Sequence, residues 1–184
     1  MKYRRILYEQ RILKGKKEKL NTSIIKKQLM ITLLSREGGK NMARQCLAMK
    51  RRPPCLNPFV VMIEDRYRLF VSERKNSGII CTDSTDGTEW EKWKVALEAG
   101  HKGSWEERVN RASVCEIDGK WLMWYTGQSR NNSAIGIATS DDGIRFTRMQ
   151  QKPILVPSEP YEKGSVMNPC VLWDKDEKMF KMWY

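Results

Sequence analysis

Histidine is almost missing from this 184-residue chain, with His101 the only one. A lone imidazole leaves no second histidine for a multi-histidine metal site, and no recognisable serine nucleophile stands with it, so zinc and serine-triad chemistry are both set aside. Cysteine is sparse and unpatterned. The five residues, at 46, 55, 81, 115 and 170, are odd in number, widely spaced and lack a Cys-x-x-Cys pair, which argues against a zinc ribbon and a disulfide scaffold. Reduced thiols fit a cytoplasmic protein. Cys81, Cys115 and Cys170 fall in predicted strands, where a small buried apolar side chain is the expected role. No apolar run approaches the roughly 20 residues of a membrane-spanning helix. A secretory signal is not readable either, because Lys26 and Lys27 interrupt any apolar core and no small-residue cleavage site follows Leu34. Nothing in the chain calls for a metal or an organic cofactor. After residue 53 sustained helical periodicity is also missing, which leaves strands to build the core.

Negative charge is scarce in one segment only. The chain carries 34 Lys and Arg against 22 Asp and Glu, a net charge of +12. Residues 1–52 hold 16 of those cations against three Glu, whereas residues 53–184 balance to within one charge, so the basic character belongs to an N-terminal extension. There Ile6, Leu7, Ile12 and Leu13 interleave with Arg4, Arg5, Arg11, Lys14, Lys16 and Lys17, and a second apolar patch runs from Ile24 to Leu34. Their spacings of three and four allow two short amphipathic helices. A basic arm of this kind can meet nucleic acid or an anionic surface. Its central cluster has no interleaved aromatic of the sort a base-stacking platform needs, so nucleic acid is not expected as a partner. The expectation is a disordered or helical solvated extension, or sequence upstream of a start at Met42 or Met49. Pro53 and Pro54 close it, since neither continues a helix.

What the chain does have is a repeat. Asn110, Arg111, Ala112, Ser113, Val114 lead through a turn at Asp118 and Gly119 to Trp121, Leu122, Met123, Trp124, Tyr125, then to Ile135, Gly136, Ile137, Ala138, Thr139 and the turn Ser140 to Gly143 before Phe146. Earlier in the chain, Asn57 to Val60, Tyr67 to Val71, Ile79 to Thr82 and Ser84 to Gly87 before Trp90 follow the same order, and later Asn168 to Val171 and Phe180 to Tyr184 begin it again. A period of this size marks an array of similar units. Short β-rich runs separated by Asp, Asn, Ser and Gly read as strands and turns. The run Trp121 to Tyr125 is apolar at every position, which requires cover on both faces of its strand. Small antiparallel sheets of about four strands, stacked radially, meet that need, and a unit of this kind is a propeller blade. Asp86 and Asp142, inside the Ser-x-Asp-Gly pieces, are read as turn-forming side chains rather than catalytic ones.

These residues resemble a known group. Asn-Pro-x-Val, then the aromatic Met-Trp-Tyr strand ending in Thr126 and Gly127, then Ile-Gly-x-Ala-Thr-Ser-x-Asp-Gly is similar to the five-bladed β-propeller glycosidases of the glycoside hydrolase family 43 type and their relatives the mannoside phosphorylases. The resemblance covers residues 55–184. It implies an all-β, partial five-bladed propeller over residues 53–184, with two full blades and the opening of a third, so the chain reads as the front of a longer protein. It also implies carboxylates on or beside the innermost strands, facing the central funnel. The family's base is an Asp directly before Pro in the first blade, and here that position is Asn57 before Pro58. The third-blade position that can carry the acid is matched by Asn168 before Pro169, again an amide.

Other carboxylates stand in the loops that feed the inner strands. Glu106 and Glu107 follow Trp105, Glu159 and Glu162 flank Tyr161, and Glu73 follows the second strand of the first blade. An aromatic beside a carboxylate suits a sugar subsite. Inverting hydrolysis needs an acid and a base roughly 6.5 to 9.5 Å apart, and Glu107 and Glu162 are the candidates for that pair. Asn57, Glu73, Trp105, Glu106, Asn110, Arg111 and Asn168 are the candidate substrate contacts. Arg111, on an otherwise apolar inner strand, suits a carboxylate partner in the funnel or an anionic substrate group. Three functions remain open: a glycosidase or phosphorylase-like enzyme acting on an oligo- or polysaccharide, a propeller that binds a glycan or a protein without turnover, or an inactive fragment.

Overall fold

The computed structural model describes residues 3–5, 55–130 and 132–184. The expected helices over residues 6–34, and the boundary at Pro53 and Pro54, lie outside the described residues. The one described piece of the extension, β1 (Tyr3–Arg5), is a strand paired antiparallel with the last strand of the chain.

The remaining strands form three antiparallel sheets, each a meander. The first is β2 (Cys55–Ile63), β3 (Arg66–Glu73), β4 (Ile79–Ser84) and β5 (Lys94–Leu97). The second is β6 (Arg108–Ile117), β7 (Lys120–Ser129), β8 (Asn132–Ser140) and β9 (Thr147–Arg148). The third begins with β10 (Cys170–Asp174) and β11 (Met179–Trp183). Among the described residues the helical structure is a single 3-10 turn, Pro160–Glu162. The all-β expectation and the blade-by-blade order are both as the sequence implied. Asp118 and Gly119 close β6 onto β7 with positive φ at both positions, 50° and 74°, the backbone a two-residue hairpin requires and the reason for an Asp-Gly pair there.

Strand β7 explains how the sheets stack. Successive side chains point to opposite faces, and the uniformly apolar run Trp121 to Tyr125 is sorted accordingly. Trp121, Met123 and Tyr125 enter a core shared with Val61, Phe70, Ile79 and Leu97 of the first blade. Trp124 enters the other core, with Val171 and Met182 of the third, and Leu122 packs against it. Each face thus removes its side chains from water against a different neighbour, at about 25 cal/mol per Å² of apolar surface. Phe146 rests edge-on against Phe70, with centroids 5.9 Å apart, and ties the second blade's outer rim to the first.

Backbone bonds repeat the same step around the array. The Val109 amide donates to the Ser77 carbonyl at 2.8 Å, and one blade later Val166 donates to Ser133 at 3.1 Å. Arg68 adds a charged tie, bonding Asp83 at 2.6 and 3.1 Å and the Asp142 carbonyl at 2.9 Å.

The Ser-x-Asp-Gly turns are copies of one another. Gly87 and Gly143 each donate to the serine hydroxyl three residues back at 2.9 Å, while Asp86 and Asp142 each accept two following amides at 2.8 to 3.0 Å. The second copy needs glycine for a further reason: a Cβ at Gly143 would lie 2.7 Å from the Trp121 ring.

The cysteines depart from expectation at one place. Cys81 is buried, Cys115 is half-buried, and Cys170 is exposed because it opens the third sheet, whose far side is not covered by described residues.

Two outcomes follow. Ser84→Ala and Ser140→Ala each leave a turn amide without its acceptor and lower stability by about 1 kcal/mol; being in separate turns, they add in the double variant, as urea unfolding will read. Burial pushes the Cys81 thiol up from 9.0 to about 11. The unfolded chain therefore ionises first, and stability that is complete below pH 9 is lost as pH rises toward 11. Cys81→Ala flattens that alkaline slope.

Candidate functional site

The first strand of each sheet, β2, β6 and β10, lies beside its counterpart in the next blade. At the head of each the chain makes a left-handed step. In β2 the register slips between Leu56 and Phe59, with Asn57 at φ 52°. In β6 it slips between Asn110 and Ser113, with Arg111 at φ 56°. Asn168, two residues before β10, has φ 60°. The pairs Phe59–Phe70, Ser113–Trp124 and Cys170–Trp183 align the three strands. In that alignment Asn57, Arg111 and Asn168 are equivalent. The sequence repeat places Asn110 in the series, but Asn110 pairs with Thr126 as Leu56 pairs with Ser72, so it is the equivalent of Leu56 and Arg111 takes the place of the two amides.

A hydroxyl from the preceding blade holds each later step. The Arg111 amide donates to Ser72 Oγ at 3.0 Å and the Asn168 amide to Thr126 Oγ1 at 3.1 Å. Ser72 and Thr126 are themselves equivalent, each two residues beyond the aligned aromatic on the second strand. Both are buried, so the Arg111 and Asn168 amides are fixed from outside their own sheets.

Glu106 and Glu162 form a second repeated device. Tyr125 Oη donates to Glu106 Oε2 at 2.7 Å, and Tyr184 Oη to Glu162 Oε1 at 3.0 Å, the two tyrosines being equivalent in register. Glu106 is 5% exposed, and its other oxygen accepts a hydrogen bond from Arg148 Nε at 2.7 Å, while Arg148 Nη2 donates to the Glu98 carbonyl of the first blade. Burial, then the Glu106 bond, pushes the Tyr125 phenol well above its usual range, keeping it a neutral donor. Glu162 Oε2 accepts the amides of Ser158 at 2.6 Å and Glu159 at 2.8 Å. Both carboxylates thus anchor loops to strands. For Glu162 this geometry suits a structural acceptor better than a group that must exchange a proton with substrate.

Trp105 is engaged as well. Its ring stacks on Tyr125 at 6.1 Å and 20°, its Nε1–H donates to the Gln151 carbonyl at 2.9 Å, and it lies so close to the sheet that a Cβ at Gly127 would fall 2.2 Å from it. One indole face is therefore spent on the protein. Glu107 is half-buried, with Oε2 receiving the Gly103 amide at 3.3 Å. Glu73 accepts from Asn76 at 2.9 Å in the β3–β4 turn. Asn57 and Asn168 are exposed, and Asn110 and Arg111 half-buried. Sequence reasoning missed the tyrosines, Arg148 and the two clasp hydroxyls. The tyrosine was visible in principle, since it recurs at equivalent places in two units. Among the described residues no three His, Cys, Asp or Glu side chains gather as a metal would need.

Residues 55–184 match the sequence profile of glycosyl hydrolases family 43. The chain belongs to that family. No curated protein sequence matches it. Among solved structures, the β-1,2-mannobiose phosphorylase of Listeria innocua superposes with a TM-score of 0.60 at 20% identity, covering 71% of this chain and 44% of that one. A family 117 glycoside hydrolase of Zobellia galactanivorans gives 0.57 at 14% identity over 66% and 45%. An endo-1,4-β-xylanase of Bacteroides thetaiotaomicron gives 0.56 at 15% over 72% and 48%. At these identities the likeness is one of fold. This family 43 chain spans less than half the length of each of the three. It shares with them the propeller fold, and no helix among its described residues is long and apolar enough to cross a membrane.

The loop anchors and the clasp make one testable statement. Glu106→Ala leaves Arg148 and the Tyr125 hydroxyl unpaired and destabilises the chain by about 3 kcal/mol. Thr126→Val, of the same shape, removes one acceptor and costs about 1 kcal/mol. Urea midpoints of the two variants give the ranking.

Proposed function

We propose that this chain forms part of a glycosidase acting on an oligo- or polysaccharide, with the sugar held at the funnel end of β2, β6 and β10. The observation that carries this reading is the series Asn57, Arg111 and Asn168, three polar residues at one register level on adjacent inner strands. A sugar presents hydroxyls in many directions, and amides that both donate and accept suit it. Glu107 is the acid–base candidate in this reading, because its carboxylate is half-buried and held by a single long amide bond. Glu162, retained in the sequence reading as its partner, has its oxygens turned to Ser158, Glu159 and Tyr184, which weakens that assignment. The free thiols of Cys81, Cys115 and Cys170 support a reducing, cytoplasmic setting.

A specific observation favours a second reading, binding without turnover. Asn57 and Asn168 occupy positions where the family resemblance implies carboxylates, and an amide cannot take a proton at neutral pH. A panel of aryl glycosides, run with the full-length protein, separates the two. Hydrolysis that falls on the order of 100-fold in Glu107→Gln supports the glycosidase and that residue's role. Release unchanged by Glu107→Gln removes the assignment, and glycan binding with no release from any substrate establishes the second reading.

A further inference from the structure

Arg111 breaks the pattern set by its two equivalents. Left-handed backbone is tolerated by Asn far more readily than by long side chains, and Asn is what β2 and the third blade place there. The second blade puts an arginine in that conformation, at φ 56°. Its guanidinium is permanently charged, yet Nε is buried with no hydrogen-bond partner, and Nη1 lies 3.1 Å from the Met167 thioether, a weak acceptor that carries no charge. Among the described residues no carboxylate pairs with it, although Arg68, Arg66 and Arg148 all have one. Burying part of an unpaired cation is costly, and the strained backbone adds to that cost. Met167 stands immediately before Asn168, so the guanidinium reaches from the second blade's bulge toward the left-handed residue ahead of the third blade's first strand. The preceding residue, Asn110, has a buried Oδ1 that no donor reaches. A vacant charged donor and a vacant neutral acceptor are thus adjacent in the chain, at the level of the two flanking amides.

We propose that Arg111 is an anion-binding residue and that the ligand is an acidic sugar, its oxyanion taken by the guanidinium. The inference rests on the carbohydrate reading above and narrows it to a charged substrate class. Nε is shut off from solvent, so the terminal N–H groups of the half-buried guanidinium are the ones that can donate to an oxyanion. The chemistry is shared by a uronate carboxylate and a sugar phosphate, and the test tells these apart.

The full-length protein is assayed on an array of oligouronides, each beside its carboxyl-reduced form, together with neutral oligosaccharides, hexose 1-phosphates and inorganic phosphate. The expected result is a preference of about tenfold or more for an acidic member over its neutral counterpart, lost in Arg111→Gln and largely kept in Arg111→Lys. Selectivity between the oligouronides and the phosphates identifies the oxyanion. Equal affinity for charged and neutral members of wild type overturns the inference and leaves the carbohydrate reading standing. Equal loss of both in a folded Arg111→Gln overturns it as well, assigning Arg111 to structure. Binding of no member, with the protein folded by circular dichroism, overturns the carbohydrate reading and this inference together. The wild-type comparison needs no variant, so a misfolded Arg111→Gln does not remove the test.

Discussion

A strand with no polar face has to be covered twice, and the middle blade of this chain is built around that requirement. Trp121, Met123 and Tyr125 point one way and Trp124 the other, and each set enters a different core. A two-layer sandwich covers only one face of each sheet, so sheets of this composition stack in series. Series stacking of twisted four-stranded meanders brings the first strands together, β2 beside β6 and β6 beside β10. The grouping of Asn57, Arg111 and Asn168 at one level is therefore a consequence of hydrophobic pattern before it is a matter of chemistry.

The polar parts of the interface refine what burial alone leaves loose. Apolar contact is non-directional, and by itself it tolerates sliding of one blade along the next. The bonds from Val109 to Ser77 and from Val166 to Ser133, with the hydroxyl clasps on Arg111 and Asn168, set the axial register. Both clasps act on amides at left-handed residues, one in the bulge of β6 and the other just before β10, where the N–H is outside the ladder. The strained residues are thus held from two sides, by their own strand and by the hydroxyl of the preceding blade.

Much of the architecture was legible because propeller blades advertise themselves twice, in the repeated order of strands and in the uninterrupted apolar run. The turns were legible too, since Ser-x-Asp-Gly encodes its own hydrogen bonds. The site was less so. Aligning Asn57, Asn110 and Asn168 by residue type lands one place off in the second blade: Asn110 pairs with Thr126 as Leu56 pairs with Ser72, so strand pairing makes Arg111, of a different residue type, the equivalent of the two amides. The Glu–Tyr anchors were hidden for a related reason: the partners are 19 residues apart in one blade and 22 in the next, so no fixed spacing betrays them. Trp105 beside Glu106 read as a sugar platform, whereas the glycines at 127 and 136 that let the indole and Tyr125 settle onto the sheet are silent in sequence until the contact is known.

The carboxylates separate into two kinds on physical grounds. Glu106 and Glu162 are buried, and their oxygens accept from tyrosine hydroxyls, an arginine or backbone amides, which hold each carboxylate in a fixed place. A group held that way is poor at passing a proton, because each transfer breaks the bonds that position it. Glu107 and Glu73 are tied by one described bond apiece in turns at the edge of the array, and keep their freedom. The inner strands, where the family resemblance implies acid and base, carry amides and one arginine instead. Under the proposed glycosidase reading, proton transfer belongs to the loops while the strand heads hold the sugar. That arrangement gives Arg111 a reason to be charged and unpaired: with no anionic side chain among its described neighbours, the negative partner it lacks is one the ligand can supply.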